Sequence, residues 1–298
     1  MKTIISIVGP TAIGKTAVAL QIGNKFNTEV ISADSRQFYK EMTIGTAKPS
    51  QKELQSIPHH FINSHSIQDI LSAGDFEKEA LKKINELFQQ HDVLILVGGS
   101  GLFVNAVLEG LDDLPKAKEG VRESLNQTYK EKGLSFIQEK LKEIDPVYYT
   151  EVDISNPQRI IRAIEVFETT GIPFSHWRKN KKTERSFKTL SIGLEMDRAL
   201  LYERINQRVD DMMDAGLLKE VETLYKSKHL PALQTVGYAE LFDYIENKCN
   251  LEEAVSKIKQ NSRRYAKRQM TWFKRNSTTV WFEPNKLPAI INYIENNL

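Results

Sequence analysis

The 298-residue sequence predicts an α/β chain with a mostly parallel sheet, and three observations carry that prediction. Continuous apolar runs recur near residues 4–8, 29–33, 93–97 and 187–194, each short enough for a strand and apolar enough to be buried on both faces. Between the first run and a segment with helical spacing (Ala17, Leu20, Ile22, Phe26) stands Gly-Pro-Thr-Ala-Ile-Gly-Lys-Thr at 9–16, the pattern G-x-x-x-x-G-K-[ST] in its strand–loop–helix setting. After Gly110 the composition shifts, and residues 112–182 hold helical patterns but no convincing strand. The expected architecture is therefore a P-loop NTPase-like core formed by residues 1–111 and 183–298, carrying an inserted all-helical domain at 112–182.

The loop explains the first element. In the loop Gly9-Pro10-Thr11-Ala12-Ile13-Gly14 the glycines let backbone N–H groups turn inward around an anion, and the following helix adds its positive end. Lys15 supplies a mobile charge, and Thr16 a hydroxyl for a phosphate-bound Mg²⁺. The second strand ends at Asp34-Ser35-Arg36-Gln37, on the same carboxyl rim as the loop, where α/β sheets place their ligands. If the loop holds a pyrophosphate, Asp34 and Thr11 are the nearest polar side chains that the sequence places. A carboxylate there can hold Mg²⁺ through water or take a proton from a nucleophile; the structural alternative is an Asx-turn after the strand.

Residues 44–49 read as a loop and 58–62 as a short strand. Phe76, Ala80, Ile84 and Leu87 mark a helix within 72–90. The third strand ends in Gly98-Gly99-Ser100-Gly101, where P-loop hydrolases carry an acid for their metal. In the insertion, Asn156-Pro157 starts a helix, Ile160, Ile164 and Phe167 form its apolar stripe, and Gly171 stops it; Gln158 and Arg162 share one face. The core resumes at 187–194. Asp197 caps a helix carrying Leu201, Ile205 and Met212 and ending at Gly216, on which Arg204 and Arg208 read, from spacing alone, as solvated partners of Glu203 and Asp211. Helices at 217–227, 236–246 and 251–275, a strand at 278–282 and a closing helix at 286–298 complete the chain.

With 40% hydrophobic and 27% charged residues, no long apolar run and a single cysteine, Cys249, the sequence predicts a cytoplasmic protein with no membrane association and no internal disulfide. Net charge is only +2, but its distribution is uneven. Residues 257–275 hold eight cations, Arg263, Arg264, Lys267 and Arg268 among them, and no acid, interleaved with Tyr265, Trp272 and Phe273, a composition suited to an RNA backbone with stacked bases. A second basic cluster comprises Arg178, Lys179, Lys181, Lys182, Arg185 and Lys188. His59, His60 and His65 lack metal-ligand spacing and are read as structural or surface residues.

Taken in order, the loop at 9–16, Ser-Ala-Asp-Ser-Arg-Gln-Phe-Tyr-Lys-Glu-Met at 32–42, Ile-Gly-Thr-Ala-Lys-Pro at 44–49, Val-Gly-Gly-Ser-Gly-Leu at 97–102, Asn-Pro-Gln-Arg at 156–159, Gly-Tyr at 237–238 and Arg-Arg-Tyr-Ala-Lys-Arg-Gln-Met-Thr-Trp-Phe at 263–273 resemble, nearly end to end, the bacterial tRNA dimethylallyltransferases of the IPP transferase family, also called tRNA isopentenyltransferases. The resemblance implies that the loop grips the leaving group of dimethylallyl diphosphate, with Mg²⁺, while N6 of the adenosine next to the tRNA anticodon attacks the allylic carbon. It implies Asp34 as base or hydrogen-bond partner of that N6, Thr11 as a substrate contact and Arg208 as a diphosphate contact, against the solvated reading of Arg208. It implies tRNA contacts at Asp34, Ser35, Arg36, Gln37, Ser100, Arg122, Gln158, Arg159, Ile160, Ile161 and Arg162, with the insertion holding the anticodon stem-loop of a tRNA bound by a monomer. Ser100 stands where the family more often has threonine, and Phe103 where it has tyrosine. An adenylate isopentenyltransferase acting on AMP and a P-loop small-molecule kinase are the competing readings.

Overall fold

The computed structural model describes residues 1–69, 71–178 and 183–298. They divide into two compact units, one formed by Met1–Glu109 with Glu184–Leu298, the other by Gly110–Thr183.

In the first unit the chain runs β1 (Thr3–Val8), α1 (Lys15–Phe26), β2 (Val30–Ser32), α2 (Gln51–Ser56), β3 (His59–His60), α3 (Ala73–Leu87), β4 (Val93–Gly98) and α4 (Gly101–Glu109). The second unit holds α5 (Val121–Ile144), α6 (Pro146–Glu151), α7 (Pro157–Thr170) and α8 (Phe174–Trp177). The first unit then resumes with β5 (Lys188–Leu194), α9 (Arg198–Asp214), α10 (Leu217–Leu224), α11 (Ala239–Ile245), α12 (Leu251–Phe273), β6 (Val280–Phe282) and α13 (Leu287–Glu295).

The six strands form one sheet in the order β3-β2-β4-β1-β5-β6, and every neighbouring pair is parallel. Strand periodicity divides the core. Ile5 and Ile7 of β1, with Ile95 and Val97 of β4, face α1, α9 and α13 through Val18, Ile22, Ile205, Ile290 and Ile294. Ile4 and Val8, with Leu94 and Leu96, face α3 and α4 through Phe76, Ala80, Ile84, Val104 and Val107. Both faces are covered, which is why these strands read as unbroken apolar runs. A further cluster joins α9–α12 to the segment after β2 through Val209, Leu217, Val221, Tyr238, Leu241 and Ile258 against Tyr39 and Met42.

Helix ends follow the sequence signals. The Asp197 carboxylate accepts from the Ala199 and Leu200 N–H groups at 2.8 and 3.1 Å. Gly216, with a left-handed φ of 97°, stands just past the Ala215 cap and ends α9 as expected, and it also begins α10. In the second unit Asn156 caps α7 by accepting from the Arg159 N–H at 3.3 Å, and Gly171, φ 73°, ends it. That unit has its own core of Leu125, Ile137, Leu141, Tyr148, Ile160, Ile161, Ile164 and Phe174.

Candidate active site

Because β1, β4 and β2 are adjacent, the loops leaving their carboxyl ends converge. Gly9 opens the first loop, where a Cβ would lie 2.8 Å from the Leu194 carbonyl oxygen. Gly14, φ 104°, closes it in a conformation costly for any other residue and starts α1. Lys15 Nζ donates to the Gly9 and Pro10 carbonyls at 3.0 and 2.8 Å. Burial pushes the lysine pKa down to about 8; the Asp34 charge opposes that shift and the Arg208 charge adds to it.

The convergence encloses a cleft with two lobes. One, about 420 Å³, is polar and is lined by Gly14, Lys15, Thr16, Arg204, Gln207 and Gln269. The other, about 400 Å³, is bordered by Leu102, Phe103, Ile205, Val209, Met212 and Val236. Thr11, Asp34, Arg208 and Tyr265 line both, so they stand where the lobes meet. Arg208 Nη1 donates to Thr11 Oγ1 at 3.4 Å. Burial lowers the Arg208 pKa, with the Asp34 charge opposing and the Arg204 charge adding. The Tyr265 hydroxyl is pushed up to about 12, first by burial and then by the Asp34 carboxylate. A guanidinium and an ammonium turned into one part-buried polar lobe suit a multiply charged phosphate group.

Asp34 does make the Asx-turn, the structural alternative for this residue, its Oδ1 accepting from the Arg36 N–H at 3.0 Å, while also bordering the cleft. Ser100 Oγ accepts from the Ser35 N–H and donates to Ser35 Oγ, both at 3.0 Å, tying the end of β2 to the glycine-rich loop after β4. The Gln37 amide is turned inward, donating to the Thr46 and Ala47 carbonyls at 3.2 Å each. Phe103 packs 5.6 and 5.4 Å from the Phe38 and Phe76 ring centres, an apolar use of the position.

Several expected RNA contacts have other partners. Ile160 and Ile161 are fully buried in the second unit's core, so their side chains are withdrawn from any RNA surface: the apolar stripe that predicts α7 is the reason. Arg122 and Arg162 both donate to the buried Glu165 carboxylate, at 2.7 and 2.9 Å and at 2.6 Å. Burial alone would raise the Glu165 pKa, but these arginines hold it below its ordinary value. Gln158 and Arg159 are exposed at the start of α7. On α12, Arg263 donates to the neutral Asn206 Oδ1 at 2.5 Å and keeps its charge, whereas Lys259 pairs with Asp210 at 2.6 Å and Phe273 is buried in the core, so Lys259 is not a free cation and Phe273 is not a stacking platform. Arg264, Lys267 and Arg268 remain exposed along one stretch of the helix. In the second basic cluster, Arg185 is engaged with Glu77 at 2.6 Å and the Ala106 carbonyl at 2.7 Å; Lys179, Lys181 and Lys182 lie outside the described residues.

Two constellations escape sequence reasoning. The Glu220 carboxylate accepts from the backbone N–H groups of Thr43, Ile44 and Gly45 at 3.0, 2.8 and 3.1 Å and from the Tyr238 hydroxyl at 2.6 Å, fixing the loop that carries Thr46 to the cleft. Gly45 is needed there, since a Cβ would meet the Tyr238 ring at 2.6 Å. The Gly-Tyr pair at 237–238 was the available signal. Gln269, 6% exposed on α12, accepts from the Thr11 N–H at 2.8 Å and donates to the Gly99 carbonyl at 2.9 Å.

A family profile, IPP transferase, matches residues 37–276. The chain belongs to the IPP transferase family. Its similarity to individual IPP transferases extends over nearly its whole length, including the loop at 9–16 that precedes the profile match. It is 51% identical over 296 residues to the tRNA dimethylallyltransferase of Christiangramia forsetii, covering 99% of this chain and 98% of that protein, and 51% identical over 305 residues to that of Flavobacterium johnsoniae, covering 100% and 99%. Among solved structures, the full-length tRNA isopentenylpyrophosphate transferase of Bacillus halodurans superposes with a TM-score of 0.74 at 36% identity, covering 99% of this chain and 96% of that one. A eukaryotic dimethylallyltransferase described as acting on tRNA gives 0.76 at 29% identity, covering 91% and 70%.

Proposed function

We propose that this IPP transferase moves a dimethylallyl group from dimethylallyl diphosphate to N6 of the adenosine at position 37 of tRNA, beside the anticodon, and releases diphosphate. The observation that carries the reading is the two-lobed cleft: a cationic lobe for the leaving group, an apolar lobe for the allyl chain and base, and Asp34 with Arg208 at their junction. In the reaction the N6 lone pair forms a bond to the allylic carbon. The carbon–oxygen bond to diphosphate breaks, its electron pair leaves with the diphosphate, and the N6 proton passes to Asp34. Negative charge grows on the leaving oxygen, so Lys15, Arg208 and the Thr11 hydroxyl stabilise the transition state more than the ground state.

Mg²⁺ fits the oxygen donors of the polar lobe. Thr16 and, through water, Asp34 are the residues that would hold it, and bound there it neutralises phosphate charge. With Thr16 as one ligand, a substrate diphosphate would supply further oxygens to the cation. No described helix is long and apolar enough to cross a membrane. A tRNA substrate argues for a cytoplasmic location, and one cleft within one chain is consistent with a monomer.

The target base must leave its stack to reach such a cleft. Arg264, Lys267 and Arg268 would follow the tRNA backbone, with Ser35, Arg36 and Ser100 near the base and residues 112–182 gripping the anticodon stem-loop. Replacing Lys267 and Arg268 together is expected to weaken tRNA binding and flatten the slope of log Kd against log salt by about 1.5, measured by filter binding. A second expectation concerns pH. Only protonated Lys15 attracts the diphosphate, so affinity for dimethylallyl diphosphate should fall as pH rises through about 8, by about tenfold per pH unit above it. Lys15→Arg, always charged, should remove that dependence in calorimetric titrations between about pH 7 and 9.5.

The direct test is incubation with labelled dimethylallyl diphosphate, Mg²⁺ and unmodified tRNA, with AMP, and with ATP plus small acceptors. Label is expected on tRNA alone; label on AMP, or consumption of ATP, would replace this reading.

A further inference from the structure

We propose that Gln269 is a positioning residue of this transferase, setting the diphosphate loop for reaction by holding Thr11. The inference rests on the prenyl-transfer reading above. In a phosphate-binding loop the backbone N–H groups turn toward the anion. Here the Thr11 N–H is instead bonded to Gln269 Oε1 at 2.8 Å, from a helix 258 residues further along the chain. The other end of the amide donates to the Gly99 carbonyl at 2.9 Å. Since an N–H can bond only to the amide oxygen and a carbonyl only to its NH₂, these two partners fix one orientation of the side chain.

The result is a rigid bridge between the loop after β1 and the loop after β4. With its N–H engaged by Gln269, Thr11 presents its hydroxyl to the cleft, 3.4 Å from Arg208 Nη1. The bridge is tightly fitted: a Cβ at Gly99 would lie 2.5 Å from Gln269 Nε2. Neighbours on the same helix face belong to the same arrangement. Tyr265, four residues earlier, lines both lobes, and Trp272, three residues later, covers Gly101, where a Cβ would meet its ring at 2.2 Å. Gln269 lines only the polar lobe and acts on the reaction through Thr11, whose hydroxyl and Arg208 meet the leaving group.

Gln269→Met keeps the volume and removes both hydrogen bonds. It is expected to lower kcat/KM for dimethylallyl diphosphate by about 10- to 100-fold, through a displacement of order 1 Å at Thr11, while the KM for tRNA stays within about twofold. In a Thr11→Ala background the same change should cost much less, because the group being positioned is already gone. Gln269→Ala, which cannot overpack, serves if the methionine variant does not fold. Wild-type transfer to tRNA is the control that isolates the prenyl-transfer reading. With that control positive, an unchanged kcat/KM for dimethylallyl diphosphate per folded enzyme, or losses that simply multiply in the double variant, would overturn the positioning role.

Discussion

Asp34→Ala is expected to lower the rate of prenyl transfer by about 10²–10⁴-fold in single-turnover assays with labelled dimethylallyl diphosphate, with tRNA affinity retained. The size follows from losing the group proposed to take the N6 proton as the new bond forms. Asp34 also shapes the chain, accepting the Arg36 N–H at 3.0 Å, so alanine alone would confuse chemistry with backbone geometry. Asp34→Asn separates them, since the amide oxygen can accept the same bond while carrying no charge. If Asp34→Asn is as slow as Asp34→Ala, the carboxylate acts in the reaction. If asparagine restores the rate, the turn was what mattered.

Arg208→Ala is expected to cost about 10²–10³-fold in kcat/KM for dimethylallyl diphosphate, the range found when one preorganised donor to a developing anion is removed. Arg208→Lys should restore little, because an ammonium cannot reproduce the guanidinium's planar set of donors. A second signature distinguishes loss of charge from general damage. The Arg208 charge helps depress the Lys15 pKa, so in Arg208→Ala the fall of diphosphate affinity with pH should move upward from about 8. A variant with the same low activity and an unmoved pH profile would show that Arg208 does not share the lobe's electrostatics in solution.

The parts of the site that lie on single short segments were legible in the sequence. The loop at 9–16, the strand ends at Asp34 and Gly98, and the caps at Asn156 and Asp197 depend on neighbours within a few residues, which spacing captures. Arg208 shows the limit. At i+4 from Arg204, beside Asp211, it reads as an ordinary surface cation, and only the packing of α9 against the sheet turns it into the cleft. Gln269 and Glu220 were illegible for the same reason, since their partners are distant in sequence and an amide or carboxylate on an amphipathic helix looks solvated until the helix is docked. Ile160 and Ile161 pose the opposite case. Family position suggested RNA, whereas the periodicity of α7 already put Ile160 on the apolar stripe, and burial agrees with the periodicity.

The end of β4 constrains the chemistry of the site. P-loop hydrolases use such a strand end to hold the metal that organises an attacking water. In this chain a Cβ on Gly98 would lie 2.4 Å from the Ala33 carbonyl oxygen and 2.7 Å from its carbon, so no acid can be installed there without prising β2 from β4. The backbone thus closes this one position to the acid that a P-loop hydrolase carries there. An acid at that position would first require β2 and β4 to move apart, whereas the cleft's own carboxylate, Asp34, reaches it from the end of β2.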